Sequence, residues 1–553
     1  MKEPSKKKTR PWQAWTPLML AAMLVVGIAV GAQLQSGGLG FSYNGIDKPI
    51  VNGFGQGKLE ELLRYIEAKY VDPVEKDELI EEAVGHMLKQ LDPHSTYLSV
   101  ERVQAEAERL GGNFEGIGVE FMLYEDTIRV VATVPGGPSE KAGVWAGDNI
   151  VTIEDSLVAG VGLENDEIMD RLRGGKGSQV RVGILRHGED ALRQITIVRD
   201  QIPMNSVDAA YMIEPEIGYV RINRFSATTA QEFNTHLRGM VDSAGMKDII
   251  VDLRQNPGGY LRSATDILSQ FFTERNKLLV YTEGRASQRE EWKTTGRALF
   301  NIRNVVVLID ESSASASEIV AGAIQDYDRG VIVGRPSYGK GLVQEQYFLS
   351  DGAAIRLTVS RYYIPSGRSI QKAYDDPIAY AHRNVEAFQV EEAQVEEDSL
   401  PLIDTLAFYT ASGRKVYGGG GIKPDIQIPV DSSYMSPDVF RLQIEISPFV
   451  FLNLHRFKEQ YQGLDIEAFR TQFQAGEELF RELLDFAKSK GEEIDEEEVR
   501  QHQDVLSGLI KSRIAKQLYD NEAQFRVLNE QDRDVKRALE VLHKPNPLSE
   551  AGI

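Results

Sequence analysis

Val305-Val306-Val307-Leu308-Ile309-Asp310-Glu311-Ser312-Ser313-Ala314-Ser315-Ala316-Ser317-Glu318-Ile319-Val320-Ala321-Gly322-Ala323-Ile324 runs an apolar strand, a serine-rich turn and an apolar helix together without a break. Residues 305–309 are apolar, largely β-branched and do not alternate with polar ones, which suits a strand covered on both faces. The same texture recurs at Ile217 to Ile222, Asp248 to Leu253 and Val331 to Val333. Helical stretches at 228–243, 262–272 and 316–327 separate these runs. Strands alternating with helices predict an α/β core over residues 206–430.

Working outward, residues 112–202 change to short strands punctuated by glycine, with helical stretches at Ser139 to Ala142 and Glu164 to Leu172. This order predicts a small β-barrel capped by two helices. Residues 59–111 are helical, with Leu59, Leu62, Leu63 and Ile66 on one face and Leu79, Ala83, Met87 and Leu91 on another. Asp92-Pro93-His94-Ser95 interrupts them as a turn. An acidic stretch, Glu386 to Asp398, marks a solvated insertion at about 376–402 within the core. Residues 440–553 are helical, polar and charged and show no chemistry. They suit either an assembly surface or a solvated face.

The amino terminus carries Lys2, Lys6, Lys7, Lys8 and Arg10 within a basic segment, 1–14. An uncharged stretch follows, with an apolar part from Trp15 to Leu34. About 20 such residues cross ~30 Å of hydrocarbon as a helix. Basic residues before the run and Trp12 and Trp15 at its start favour a signal anchor over 15–34, with the remainder delivered across a membrane. A cleaved signal peptide is the alternative reading. Residues 35–58, rich in Gly, Ser and Asn, form a linker.

The 553 residues carry a net charge of -21, which disfavours nucleic acid or anionic lipid as a partner of the folded body. There is no cysteine, which excludes disulfides, thiol catalysis and Cys-ligated zinc. No H-E-x-x-H or other tight ligand cluster occurs, so the expectation is no metal and no cofactor.

Ser315 and Glu318 fit a helix-capping box, and taken alone that is the simpler reading of the serine cluster. Lys340, between Gly339 and Gly341, changes the balance, because flanking glycines let the backbone approach something closely. A serine hydroxyl needs a base to become a nucleophile, and none of the eight histidines sits in a suggestive context. A lysine with its ordinary pKa of about 10.4 is neutral less than ~0.1% of the time at pH 7. Burial can bring it into the range of general bases. Gln344 is neutral and able to orient the amine without restoring its charge. Asn256-Pro257-Gly258-Gly259, after a buried strand, offers backbone N–H groups for an oxyanion hole, and Ala316 N–H at a helix start is a further donor.

Ser-Ala-Ser-Ala-Ser-Glu at 313–318, Gly-Lys-Gly at 339–341 and Gln344 together resemble the C-terminal processing (tail-specific) peptidases of the S41 class. Asp92-Pro93-His94-Ser95 is similar to that family's N-terminal helical segment, and residues 112–202 to its PDZ domain. Asn256 to Gly259 is similar to its oxyanion strand, and Pro365-Ser366-Gly367-Arg368-Ser369-Ile370-Gln371 to its post-lysine strand and turn. The resemblance spans roughly 59–430. It implies a serine endopeptidase with a Ser-Lys dyad, Ser315 as nucleophile, Lys340 as base and Gln344 as its orienter. Gly258, Gly259 and Ala316 would form the oxyanion hole. It further implies protein substrates held by free C-termini at a PDZ loop, Gly116-Ile117-Gly118-Val119, where a terminal carboxylate meets backbone amides and the peptide adds a strand. The implied setting is a bacterial envelope, anchored in the inner membrane with the catalytic part in the periplasm or exported after signal cleavage. Partners would be substrates, the membrane, and a homo-oligomer or adaptor protein.

Two rival readings remain open on sequence. Gly334-Arg335-Pro336-Ser337-Tyr338-Gly339-Lys340 satisfies most of a P-loop, but Gly341 replaces the hydroxyl residue that would hold Mg²⁺. A non-catalytic PDZ adaptor on a peptidase fold is the other, and the intact Ser315, Lys340 and Gln344 speak against it.

Overall fold

A computed structural model describes residues 56–374, 406–430 and 436–552. The basic segment, the expected anchor over 15–34, nearly all of the linker and the acidic insertion lie outside the described residues. Among the described residues no helix is long and apolar enough to cross a membrane. The chain divides into two compact units, Met1–Ile80 and Glu81–Ile553. Of the first, the helix Gln56–Lys69 and the opening of the helix Lys76–Lys89 are described.

The second unit is built on a six-stranded sheet in the order Val207–Glu214, Ile217–Ile222, Asp248–Asp252, Val305–Ile309, Val331–Gly334, Ile426–Gln427. The first pair is antiparallel and every later pairing is parallel. Four of these strands coincide with the apolar runs read from sequence. Side chains alternate between faces, so Val305, Val307 and Ile309 meet one core cluster while Val306 and Leu308 meet another. The first face is covered by the helices Thr229–Ala244, Leu261–Leu268 and Ala316–Asp326.

The second face is covered by a helix from the region expected to be an assembly surface or solvated. In Arg533–Leu542, Val535, Ala538, Val541 and Leu542 fall on one stripe and pack on Val306, Leu308, Val331 and Val333. A strand buried on both faces needs such a roof. The helices before it, among them Pro437–Leu452, Glu477–Ser489, Gln503–Leu518 and Asn521–Leu528, enclose an apolar core of their own that includes Phe449, Phe480, Leu483 and Ile510. Phe451 and Leu454 from this region reach the barrel described next, at Val131.

Residues 113–203 form the expected small barrel. Its sheet runs Val119–Tyr124, Thr127–Thr133, Asn149–Ile153, Gln179–Leu185, Arg193–Val198, with the helices Pro138–Ala142 and Asn165–Leu172 and a core around Ile128, Ile150, Ile168 and Val182. Val119–Tyr124 is an edge strand. An antiparallel sheet joins Thr96–Leu98, Ala354–Tyr363, Arg275–Glu283 and Glu290–Thr295, and Leu342–Phe348 pairs with Ala354–Tyr363. The strand Thr96–Leu98 lay within a segment read as helical. The strand after Lys340 removes the P-loop reading, since a phosphate loop must open into a helix whose N-terminus faces the anion.

Two substitutions test the roof. Leu308→Ala and Leu542→Ala should each destabilise the protein by about 2–5 kcal/mol in denaturant unfolding. A tail helix that was merely solvated would leave Leu542→Ala within about 0.5 kcal/mol of the parent.

Candidate active site

The strand Val305–Ile309 ends in a turn that is fixed before the serine is reached. Asp310 accepts from the N–H groups of Gln255 and Ser312 at 2.9 and 3.1 Å, and Ser313 Oγ donates to the Leu253 carbonyl at 2.8 Å. Ser315 follows at φ 55°, ψ -111°, a backbone region that a residue with a side chain adopts only under constraint. It is the N-cap of the helix Ala316–Asp326. The capping box read from sequence is present, with Ser315 N–H donating to Glu318 Oε2 at 2.7 Å.

Glu318 has a second role that the capping reading did not reveal. Its Oε1 accepts from Ser337 Oγ at 2.6 Å and Gly339 N–H at 2.7 Å, and its Oε2 also accepts from Lys340 N–H at 3.0 Å. The main chains of Ser315 and Lys340 therefore meet on one carboxylate oxygen. The Tyr362 hydroxyl joins them again, donating to the carbonyls of Ser315, at 3.1 Å, and of Lys340. Burial pushes the Glu318 pKa up to about 7 against the pull of its four donors. Ser337 Oγ accepts from Ile422 N–H at 2.6 Å, so its own proton is directed to Glu318. Neither Glu318 nor Tyr362 was singled out in sequence beyond the cap. The only trace was that Glu318 lies in the serine run.

Lys340 Nζ donates to Gln344 Oε1 at 3.0 Å, and Gln344 Nε2 donates to the His94 carbonyl at 2.9 Å. The second bond fixes which end of the amide faces the amine. The turn that presents His94 is held by Asp92, which accepts from His94 N–H and Ser95 N–H, both at 2.8 Å, and from Ser95 Oγ at 2.7 Å. Sequence reasoning placed Asp92 to Ser95 as a turn but did not connect it with the lysine. Burial lowers the Lys340 pKa below the ordinary lysine value and the Arg356 guanidinium adds to this, while Glu318, Asp92 and Glu106 oppose it. Burial and then the Lys340 charge push the His94 imidazole down to about 4, against Asp92. Among the described residues no hydrogen bond joins Lys340 Nζ to a carboxylate or to Ser315 Oγ.

The three oxyanion candidates fare differently. Gly258 N–H is taken by Asn256 Oδ1 at 2.9 Å. Gly259 N–H and Ala316 N–H have no acceptor among the described residues. A Cβ on Gly258 would lie 2.8 Å from Ser315 Cβ and 2.9 Å from Ala316 N, and one on Gly259 would lie 2.1 Å from the Phe225 carbonyl. Only glycine lets this loop press against the serine turn. Asn256 O completes the join by accepting from Ala314 N–H at 3.0 Å and Ser317 Oγ at 2.9 Å.

The barrel loop from Gly116 to Val119 shares no hydrogen bond with this cluster among the described residues. Ile117 O accepts from Ser139 N–H and Oγ, and Gly118, at φ 72°, leads into the edge strand Val119–Tyr124. The N–H groups of Ile117 and Gly118 have no acceptor among the described residues. No group of carboxylate, imidazole or thiol side chains suited to a metal occurs among the described residues.

The chain is similar to known proteins over its core. The description Peptidase family S41 matches residues 216–377, and a family of unknown function matches residues 443–520. A carboxy-terminal-processing protease of Bartonella bacilliformis is 36% identical over 316 residues, covering 56% of this chain and 71% of that protein. A carboxyl-terminal-processing protease of Picosynechococcus is 32% identical, covering 59% of this chain and 85% of that protein. The carboxy-terminal processing protease CtpB of Bacillus subtilis is 33% identical, covering 58% and 66%. The chain belongs to peptidase family S41 and, within it, to the carboxy-terminal processing proteases, which are serine-type hydrolases.

Proposed function

We propose that this protein is a Ser-Lys endopeptidase in which Lys340 takes the proton of Ser315, and that it cuts exported or envelope proteins presented by their C-terminal tails. One observation carries the reading. The serine and lysine main chains are pinned to one Glu318 oxygen while the lysine amine, largely buried, bonds a neutral amide rather than a carboxylate.

Neutral Lys340 accepts the hydroxyl proton as Ser315 Oγ attacks the scissile carbonyl. Ser315 must first turn its side chain from the helix cap toward the amine. The amides of Gly259 and Ala316 receive the developing oxyanion, each such donor being worth about 3–4 kcal/mol in the transition state. The Lys340 ammonium then protonates the leaving amine, and water, deprotonated by the regenerated amine, releases the acyl group. Gln344 holds the amine in both charge states. Gly258, with its own amide engaged, shapes the loop instead of donating.

The open amides of Ile117 and Gly118 and the free edge of Val119–Tyr124 support capture of a terminal carboxylate with strand addition at the PDZ-like barrel. Attachment through residues 15–34, with the catalytic part on the far side of the membrane, suits substrates of the bacterial envelope.

Ser315→Ala and Lys340→Ala should abolish cleavage of a C-terminally tagged peptide and preserve the circular dichroism spectrum. Lys340→Arg should be equally inactive because guanidinium stays charged; turnover by that variant rules out lysine as the base.

The pH profile supplies a signed test. Activity should rise with pH as Lys340 loses its proton, with a midpoint below the ordinary lysine value. Arg356→Gln removes a neighbouring cation and should move that rise to higher pH in kcat/KM. A shift to lower pH would contradict the assignment.

Glu318→Gln replaces an acceptor oxygen with a donor facing donors already in place. It should lower kcat about 100-fold through misplacement of Ser315 and Lys340, measured with the tagged peptide.

A further inference from the structure

Three loops leave the same end of three adjacent parallel strands. Asp248–Asp252 leads to the glycine loop, Val305–Ile309 to Ser315, and Val331–Gly334 to Lys340. Each carries a charged residue near its start: Arg254, Glu311 and Arg335. These are not paired only among themselves. Arg254 Nη1 donates to Asp532 Oδ2 at 2.8 Å and to Asp534 Oδ2 at 3.0 Å, and Arg335 Nη1 reaches the same Asp534 oxygen at 3.5 Å. Arg335 Nε donates to Glu311 Oε2 at 2.9 Å, and the far edge of Arg254 is held by Asp252 at 2.7 and 3.0 Å.

Asp532 and Asp534 open the roof helix Arg533–Leu542. Asp532 is its N-cap, accepting from Asp534 N–H and Val535 N–H at 2.9 and 3.0 Å. The cap holds the two carboxylates in a fixed relation, and the buried stripe behind them fixes the helix on the sheet. Asp534 is nearly fully buried, with its side chain 6% exposed, and both arginines are largely buried. In such surroundings an unpaired charge is costly, so the network holds its geometry tightly. This helix lies downstream of both segments matched by known families.

We infer that Asp534 is a positioning residue for the peptidase reaction: from outside the S41-matched segment, it locks the oxyanion loop, through Arg254, to the lysine loop, through Arg335. Glu311 extends the lock to the serine turn. Asp534 touches no reacting group. It acts by setting the distance between the Gly259 amide and Lys340. The inference rests on the Ser315–Lys340 reading for the identity of the loops it joins.

The test uses the full chain and a C-terminally tagged peptide. Asp534→Asn keeps the shape and removes the charge. At a temperature where circular dichroism shows it folded, kcat should fall about 10- to 100-fold with KM within about twofold of the parent, the size expected when catalytic groups shift by a fraction of an ångström to one ångström. Asp534→Glu should recover part of kcat. A folded Asp534→Asn enzyme with kcat within about twofold of the parent overturns the inference, as does a loss of kcat that only tracks the unfolded fraction. If Asp534→Asn does not fold, Arg335→Gln takes its place. That variant frees the lysine loop from Asp534 and from Glu311 and leaves Arg254 bonded to both aspartates, and the same two outcomes decide. The dyad reading fails separately, through cleavage by Ser315→Ala, and that result does not alter how the Asp534 rates are read.

Discussion

A carboxylate removed from water and surrounded only by donors is an unusual group to build around. Glu318 receives a hydroxyl and three backbone amides, two of which belong to the proposed nucleophile and base. Its charge is costly to bury, and each donor repays part of that cost only if it stays in place. The serine turn and the lysine loop are thus held together by the same hydrogen bonds that offset part of the cost of burying Glu318. Tyr362 adds a second tie across the same two backbones. A serine held at positive φ needs surroundings of this stiffness, because its backbone would otherwise relax.

The amine itself is handled differently. It is paired with an amide whose orientation is set by a backbone carbonyl, and the charge that acts on it most strongly is the cation of Arg356. Each of these features favours loss of the proton or leaves it unopposed. The carboxylates nearby are bound elsewhere: Glu318 to backbone amides, Asp92 to its own turn, Glu106 to Arg356 at 3.4 Å. Charge is present around the lysine, yet directed away from it.

The legible parts of the sequence were those with local causes. Val305 to Ile309 read as a doubly covered strand, and its side chains do divide between two core clusters. The capping box and the helix it opens were also readable. What escaped depends on residues far apart in sequence. Nothing around Asp92 says that a carbonyl of its own turn, that of His94, will orient Gln344, and nothing around Val535 says that its stripe will meet Leu308. The tail was legible only as helical, polar and charged. The strand Thr96–Leu98 escaped for the same reason, since its pairing with Ala354–Arg356 outweighs a helical neighbourhood.

The roof helix bears on the order of events in synthesis. The strands it covers are made first, and until Arg533 to Leu542 exists Val306, Leu308, Val331 and Val333 have one side exposed to water. A contact of such long sequence separation forms late, because a large loop must close before it is rewarded. The sheet from which the serine turn and the lysine loop emerge is thus made early and covered on its second face last.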